Sequence, residues 1–115
     1  RVVEFTEFKQ LLNKDNVHVI DVREPEELVE DGAIPNTINI PLGEVEAVFS
    51  KSPTEFEERY QFDISHPDSV NVIFSCRSGC RSEEALETVL KLGFKKARHF
   101  GGGFLEWEER MANES

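Results

Sequence analysis

Apolar positions recur along the chain in two alternating rhythms, one of helical and one of strand period. From Thr6, read as a helix N-cap, Phe8, Leu11 and Leu12 share one helical face until residues 13–16 break the pattern. Residues 17–22 (VHVIDV) are rich in β-branched side chains and predict a central strand that hands over to a loop at Asp21-Val22-Arg23. Pro25 suits the first position of a short helix carrying Glu26, Glu27, Leu28 and Val29, and Gly32 can end it in left-handed backbone. Residues 37–40 (TINI) predict a brief strand closed by Pro41.

Ser52-Pro53-Thr54-Glu55 has the form of a capping box opening a helix with Phe56, Tyr60 and Phe62. Residues 70–75 (VNVIFS) make the strongest strand signal, followed by a polar loop at residues 76–81. A helix then runs from Ser82 through Ala85, Leu86, Val89 and Leu90 to Gly93. Residues 97–100 predict a last strand, and residues 101–103 a tight glycine turn, since no long helix with the full phosphate-binding pattern follows. The amphipathic finish bears Phe104 and Trp107, the latter read as core. Strands alternating with helices predict an α/β domain: a parallel sheet covered on both faces, with its site at the carboxyl ends of the strands.

Composition narrows the function. With 115 residues, 38% of them hydrophobic and 31% charged, the chain is expected to form a single domain over residues 1–115 that holds a core without disulfide staples. Acidic residues outnumber basic ones 23 to 13, and the formal charge of -10 argues against nucleic acid or an anionic membrane as a partner. Uncharged stretches such as residues 32–43 fall well short of the ~20 apolar residues of a membrane span. Cys76 and Cys80 are too few and too close for a disulfide framework, so a reducing, cytoplasmic compartment is expected. The chain begins at Arg1 without Met, which leaves a mitochondrial location open if a targeting segment precedes it. The acidic runs at residues 24–30 and 106–109 read as solvated helix faces.

The loop at residues 76–81 (CRSGCR) carries the candidate chemistry. Between a buried strand and a helix N-terminus, its successive amides can converge on one atom as an anion-binding nest. Cys76 opens the turn, so the loop amides, the helix dipole, and the side chains of Arg77 and Arg81 are all expected to favour its thiolate, and Arg77, Ser78, Gly79, Cys80 and Arg81 are expected to bind the substrate. A free thiol of pKa ~8.5 is only ~3% ionised at pH 7, so a drop of about two units would transform its reactivity. Cys80 is expected to point outward as filler, not to act as a resolving thiol. Cys-x3-Cys could start a zinc site, but His66 and His99 are isolated and no metal is expected. Asp21 and Arg23, ending the central strand, read as a supporting brace.

Three stretches in order resemble a known family, the rhodanese-like sulfurtransferases. Asp21-Val22-Arg23, Glu27, Gly32, Ile34 and Asn39-Ile40-Pro41 are similar to its N-terminal signature, residues 76–82 to its active-site loop, and Gly101-Gly102 with Trp107 to its C-terminal signature. Residues 53–60 are similar to those of small single-domain thiosulfate sulfurtransferases, including the thiosulfate:glutathione type. The resemblance implies a three-layer domain with a five-stranded parallel sheet. It also implies that Cys76 accepts a sulfane sulfur as a persulfide and passes it to a thiol or cyanide without a cofactor. Phosphatases of this fold place the Arg six positions after the Cys, whereas Cys76 and Arg81 are five apart, and the tighter ring favours one sulfur over a phosphoryl group. Ala33 and Asn36-Thr37 depart from the family's frequent His and Gly-Ala, which touches substrate preference.

The expected partners are a small-molecule sulfur donor, thiosulfate or a persulfide, and glutathione or a thioredoxin-like acceptor, with the chain itself a monomer. The alternatives are a phosphatase of the same fold and a non-catalytic interaction module. The latter has no reason to keep Cys76, Arg77 and Arg81 together.

Overall fold

Five short strands build one parallel sheet in the computed structural model, which describes residues 1–114. They are β1 (Val2–Val3), β2 (Val17–Asp21), β3 (Thr37–Asn39), β4 (Asn71–Ser75) and β5 (Arg98–Phe100), in the order β1-β5-β4-β2-β3. β4 is central and pairs along its whole length with β2, from Val17 opposite Asn71 to Asp21 opposite Ser75. From β2 the chain winds outward to β3, and from β4 it winds the other way to β5. The reversal between β2 and β4 opens a crevice at their carboxyl ends, where parallel α/β sheets bind ligands.

Six helices cover the sheet: α1 (Phe5–Leu11), α2 (Pro25–Asp31), α3 (Leu42–Phe49), α4 (Pro53–Tyr60), α5 (Cys80–Lys91) and α6 (Gly103–Ala112). Strand alternation sends successive side chains to opposite faces and so divides the core in two. Val19, Ile73 and Phe100 meet Phe5 and Phe8 of α1 and Phe104 and Trp107 of α6. Ile20, Val72 and Phe74 meet Val45, Val48 and Phe49 of α3, Phe56 of α4, and Ala85, Leu86 and Val89 of α5. Because both faces are covered, Val72, Ile73 and Phe74 are all fully buried, and β4 reads as a continuous apolar run. Trp107 is core as expected, with its ring 5.9 Å from Phe5 and edge-on to Phe8.

The α/β architecture follows the sequence pattern, and several details differ from it. α1 begins one residue before Thr6, with Glu4 at the N-cap, because Phe5 is drawn into the core against Trp107. α5 begins at Cys80, not Ser82, because Gly79 takes a positive φ of 101° and turns the chain into the helix early. Gly32 has the expected positive φ, 90°, but an extended ψ of 174°, so the chain leaves α2 toward β3 instead of coiling left-handed. Ser52 caps α4 by accepting the Glu55 amide at 3.2 Å, whereas the fully reciprocal capping box lies at Glu24 and Glu27 of α2. β1 and α3 have no counterpart in the sequence reading.

Asp21 and Arg23 form a fully buried ion pair at the end of β2, with Arg23 Nη2 2.8 Å from Asp21 Oδ2 and Nε 3.1 Å from both carboxylate oxygens. Arg23 Nη2 also donates to the Gly32 carbonyl at 3.0 Å, and the guanidinium lies over the Phe104 ring at 4.4 Å. The pair thus ties β2, the end of α2 and α6 together. Breaking a buried pair from one side strands a charge, so Asp21→Ala should cost about 3–5 kcal/mol in chemical denaturation. Replacing both residues by apolar ones of similar volume should cost much less.

Candidate active site

β4 ends at Ser75 and delivers Cys76 to the crevice, where it is 1% exposed. Its Sγ accepts the Gly79 amide at 3.0 Å and the Ser82 amide at 3.3 Å, and the Ser82 hydroxyl lies 3.5 Å away. Two glycines make this turn possible. A Cβ on Gly79, at its positive φ, would fall 2.5 Å from the Gly101 carbonyl oxygen. A Cβ on Gly103, φ +63°, would fall 2.5 Å from the Arg77 carbonyl oxygen and 2.7 Å from that of Cys76. Those carbonyls accept the first amides of α6: Phe104 N–H bonds Cys76 O at 2.8 Å and Leu105 N–H bonds Arg77 O at 3.1 Å. With its carbonyls held by α6, the loop turns amides inward to the sulfur.

Burial pushes the Cys76 thiol up, but the Ser82 hydroxyl and the Ser82, Gly79 and Ser78 amides outweigh it, and its pKa falls below the ordinary thiol value. The amides of Cys80 and Arg81 are not among these donors. The Cys80 side chain is exposed, as expected from the sequence.

Each arginine has a carboxylate partner on α2, and Arg81, its pKa raised first by Glu27, also feels the Cys76 charge, which raises it further. Arg81 makes a two-pronged bond to Glu27 of α2, 2.6 Å and 3.0 Å, and Arg77 pairs with Asp31 at 3.3 Å. The hydrogen bonds that lower the Cys76 pKa come from uncharged dipoles, while both guanidinium groups bond carboxylates of α2 and Arg81 acts on the sulfur only through its charge. The acidic run at residues 24–30 is therefore not only a solvated face. The Arg81 fork holds the Glu27 carboxyl down to about 2, against burial that raises it, and Glu27 in turn raises the Arg81 pKa.

Sequence reasoning passes over two residues, Ser82 at the sulfur and His99 bonded to it. In the sequence Ser82 reads as the start of a helix and His99 as an isolated imidazole. The structure buries both and places Ser82 Oγ 2.9 Å from His99 Nδ1. The usable signal was the strand alternation: Phe74 is opposite His99, so both side chains lie on the face that α5 covers.

Comparison with known proteins identifies this class. The rhodanese-like domain family matches residues 4–110, and the chain belongs to it. It is 42% identical over 105 residues to the mouse thiosulfate sulfurtransferase/rhodanese-like domain-containing protein 3, covering 91% of this chain and 66% of the relative. The human thiosulfate:glutathione sulfurtransferase is 31% identical over 108 residues, 94% of this chain and 93% of that protein. The structure of the human single-domain sulfurtransferase TSTD1 superposes with a TM-score of 0.83 at 31% identity, covering 99% of this chain and 97% of the other.

Two outcomes test the geometry. Gly103→Ala forces a positive φ on a Cβ that has no room, so it should lower stability by about 2 kcal/mol or more and move Cys76 alkylation to higher pH. Glu27 has a depressed folded-state pKa, so its contribution is present above the ordinary carboxylate range and lost as pH falls toward about 2. With screening at this half-buried site, Glu27→Gln should cost about 1 kcal/mol at pH 7, and the gap from the parent should close in acid.

Proposed function

We propose that the chain moves a sulfane sulfur from thiosulfate or a persulfide donor, through a persulfide on Cys76, to a thiol acceptor or cyanide. The observation that carries this reading is the buried Cys76 Sγ with the Gly79 and Ser82 amides at 3.0 and 3.3 Å, a ring sized for one sulfur atom. The five-residue step from Cys76 to Arg81 leaves little room for a tetrahedral phosphoryl group.

The Cys76 thiolate attacks the outer sulfur of thiosulfate. A sulfur–sulfur bond forms, the bond to the sulfonate sulfur breaks, and sulfite leaves with the electron pair. An acceptor thiolate then attacks the outer sulfur of the Cys76 persulfide and regenerates the cysteine thiolate. The terminal sulfur carries negative charge in the persulfide; the amides of Cys80 and Arg81, which do not bond Cys76 Sγ, are the donors offered to it, while those of Ser78 and Gly79 stay on the inner sulfur. Arg77 and Arg81 attract the anionic donor, and Arg81 must exchange Glu27 for it, which favours donors able to compete with a carboxylate. Asp21 and Arg23 support the crevice from beneath. Glutathione or a thioredoxin-like protein is the acceptor. One rhodanese-like domain carries the chemistry, and its two free thiols suit a reducing compartment, cytoplasmic or mitochondrial. Among the described residues no helix is long and apolar enough to cross a membrane.

Cys76→Ser should abolish sulfur transfer, and Cys80→Ser should keep most of it. Intact mass after thiosulfate treatment should show one added sulfur, removable by cyanide or a reductant. An unchanged mass together with phosphate release from an aryl phosphate would overturn the proposal. Because the Cys76 pKa is lowered, the rate of persulfide formation should rise with pH and level off below the free-thiol range near ~8.5.

A further inference from the structure

A thiol must lose its proton before it can attack, and Cys76 is only 1% exposed. Among the described residues one side-chain hydrogen-bond path leads away from it, and it is short. Cys76 Sγ is 3.5 Å from Ser82 Oγ, and Ser82 Oγ is 2.9 Å from His99 Nδ1. Ser82 is fully buried and His99 is 4% exposed, so both have been taken out of water to meet each other. Among the described residues the far ring nitrogen, Nε2, has no hydrogen-bond partner, and it is not among the sealed side-chain atoms left without one. The Ser82 hydroxyl has one proton and three acceptors in reach: His99 Nδ1, the Gly79 carbonyl at 3.1 Å, and the sulfur. Which of them receives it depends on where His99 holds its own proton.

We propose that Cys76, Ser82 and His99 form a reversible hydrogen-bonded relay in which His99 is a positioning residue for the sulfur. This rests on Cys76 being the nucleophile. In the thiol state the chain of bonds runs from Sγ–H to Ser82 Oγ and from Ser82 Oγ–H to Nδ1 of an imidazole protonated on Nε2. Ionisation reverses it. The Sγ proton passes to Ser82 Oγ, the Ser82 proton passes to Nδ1, and Nε2 releases its proton to water. One S–H bond has broken, one proton has reached solvent, and His99 is left neutral with its proton on Nδ1. From there Nδ1–H donates to Ser82 Oγ, and Ser82 Oγ–H donates to the thiolate. The switch of tautomer thus turns the hydroxyl from an acceptor of the thiol proton into a donor to the charged sulfur.

The surroundings favour the neutral ring that the relay needs. Burial lowers the His99 pKa, against Glu83 of α5, which raises it. Beside it in the sheet, β4 presents the uncharged Phe74.

Two measurements test the relay. Alkylation of Cys76 by iodoacetamide against pH should titrate higher in His99→Phe, with the rate at pH 6.5–7 reduced about three- to tenfold. Ser82→Ala should shift it by at least as much, and the double variant should add nothing to Ser82→Ala, because the two residues act in series. On the unaltered protein, nitrogen NMR of the His99 ring should show the neutral imidazole moving from the Nε2–H to the Nδ1–H form as pH rises through the Cys76 titration. The same change should be missing in Cys76→Ser. A tautomer that stays constant across that titration, or a folded His99→Phe that titrates like the parent, overturns the relay. Failure of thiosulfate to load Cys76 while the tautomer switch is present would count against the proposed function and leave the relay standing.

Discussion

Everything at the catalytic end of this fold depends on how the backbone carbonyls of Cys76 and Arg77 are disposed of. A peptide unit that turns its N–H toward the sulfur must turn its C=O away, and in a buried turn that oxygen needs a donor. The first turn of α6 supplies it through the Phe104 and Leu105 amides. Those amides are in place because α6 is fixed by its own packing. Trp107 sits against Phe5 and Phe8, and Phe8 stacks on Phe100 with ring centroids 4.1 Å apart. The aromatic layer beneath the sheet is therefore part of the nucleophile's environment, although none of its atoms reaches the sulfur. Gly103 is required because α6 must approach the loop backbone more closely than a Cβ permits.

The electrostatics of the site are local and largely dipolar. A chain of formal charge -10 disfavours another negative charge in its interior, and the two neighbouring arginines are already engaged by Glu27 and Asp31. The groups that lower the Cys76 pKa directly carry no net charge, the Ser82 hydroxyl and the amides of Ser82, Gly79 and Ser78, with the Arg81 charge coupled to the sulfur from further off. Such donors are fixed by the fold and are not screened by salt as exposed charges are. The arginines keep a different use. Their pairing with α2 fixes them at the mouth of the crevice, where an arriving anion can take the place of a carboxylate.

Much of this was legible in the sequence, and the reasons for the rest are physical. β4 and the loop after it are written in six strongly patterned residues followed by Cys76, and β2 and α5 are nearly as plain. α3 was passed over although Val45, Val48 and Phe49 follow helical spacing, because Pro41 and Gly43 obscure its start. β1 has two residues and owes its existence to pairing with β5, a contact between opposite ends of the chain. At the site, Cys76, Gly79 and the Asp21–Arg23 brace could be singled out by type and position. The Glu27–Arg81 and Asp31–Arg77 pairs could not, because they span 54 and 46 residues and local spacing carries no trace of them. The same holds for Ser82 and His99: each looks unremarkable alone, and only the register of β5 against β4 brings the imidazole under α5.

The burial of Cys76 has a consequence for which sulfur reacts. A persulfide offers an acceptor thiolate two electrophilic atoms, and only attack on the outer one transfers sulfur, whereas attack on the inner one makes a mixed disulfide with the protein. In this crevice Cys76 is 1% exposed and its Sγ is ringed by the Gly79 and Ser82 amides and the Ser82 hydroxyl, which crowd the side opposite the outer sulfur, from which an in-line attack on the inner atom must come. The outer atom, about 2 Å further along the new bond, lies toward the mouth where an acceptor arrives. The exposed Cys80 shows the contrast, since a persulfide there would present both sulfurs alike. The same enclosure that raises the cost of ionising Cys76, and that the amides, Ser82 and His99 are arranged to offset, is thus what directs the transfer to the productive atom.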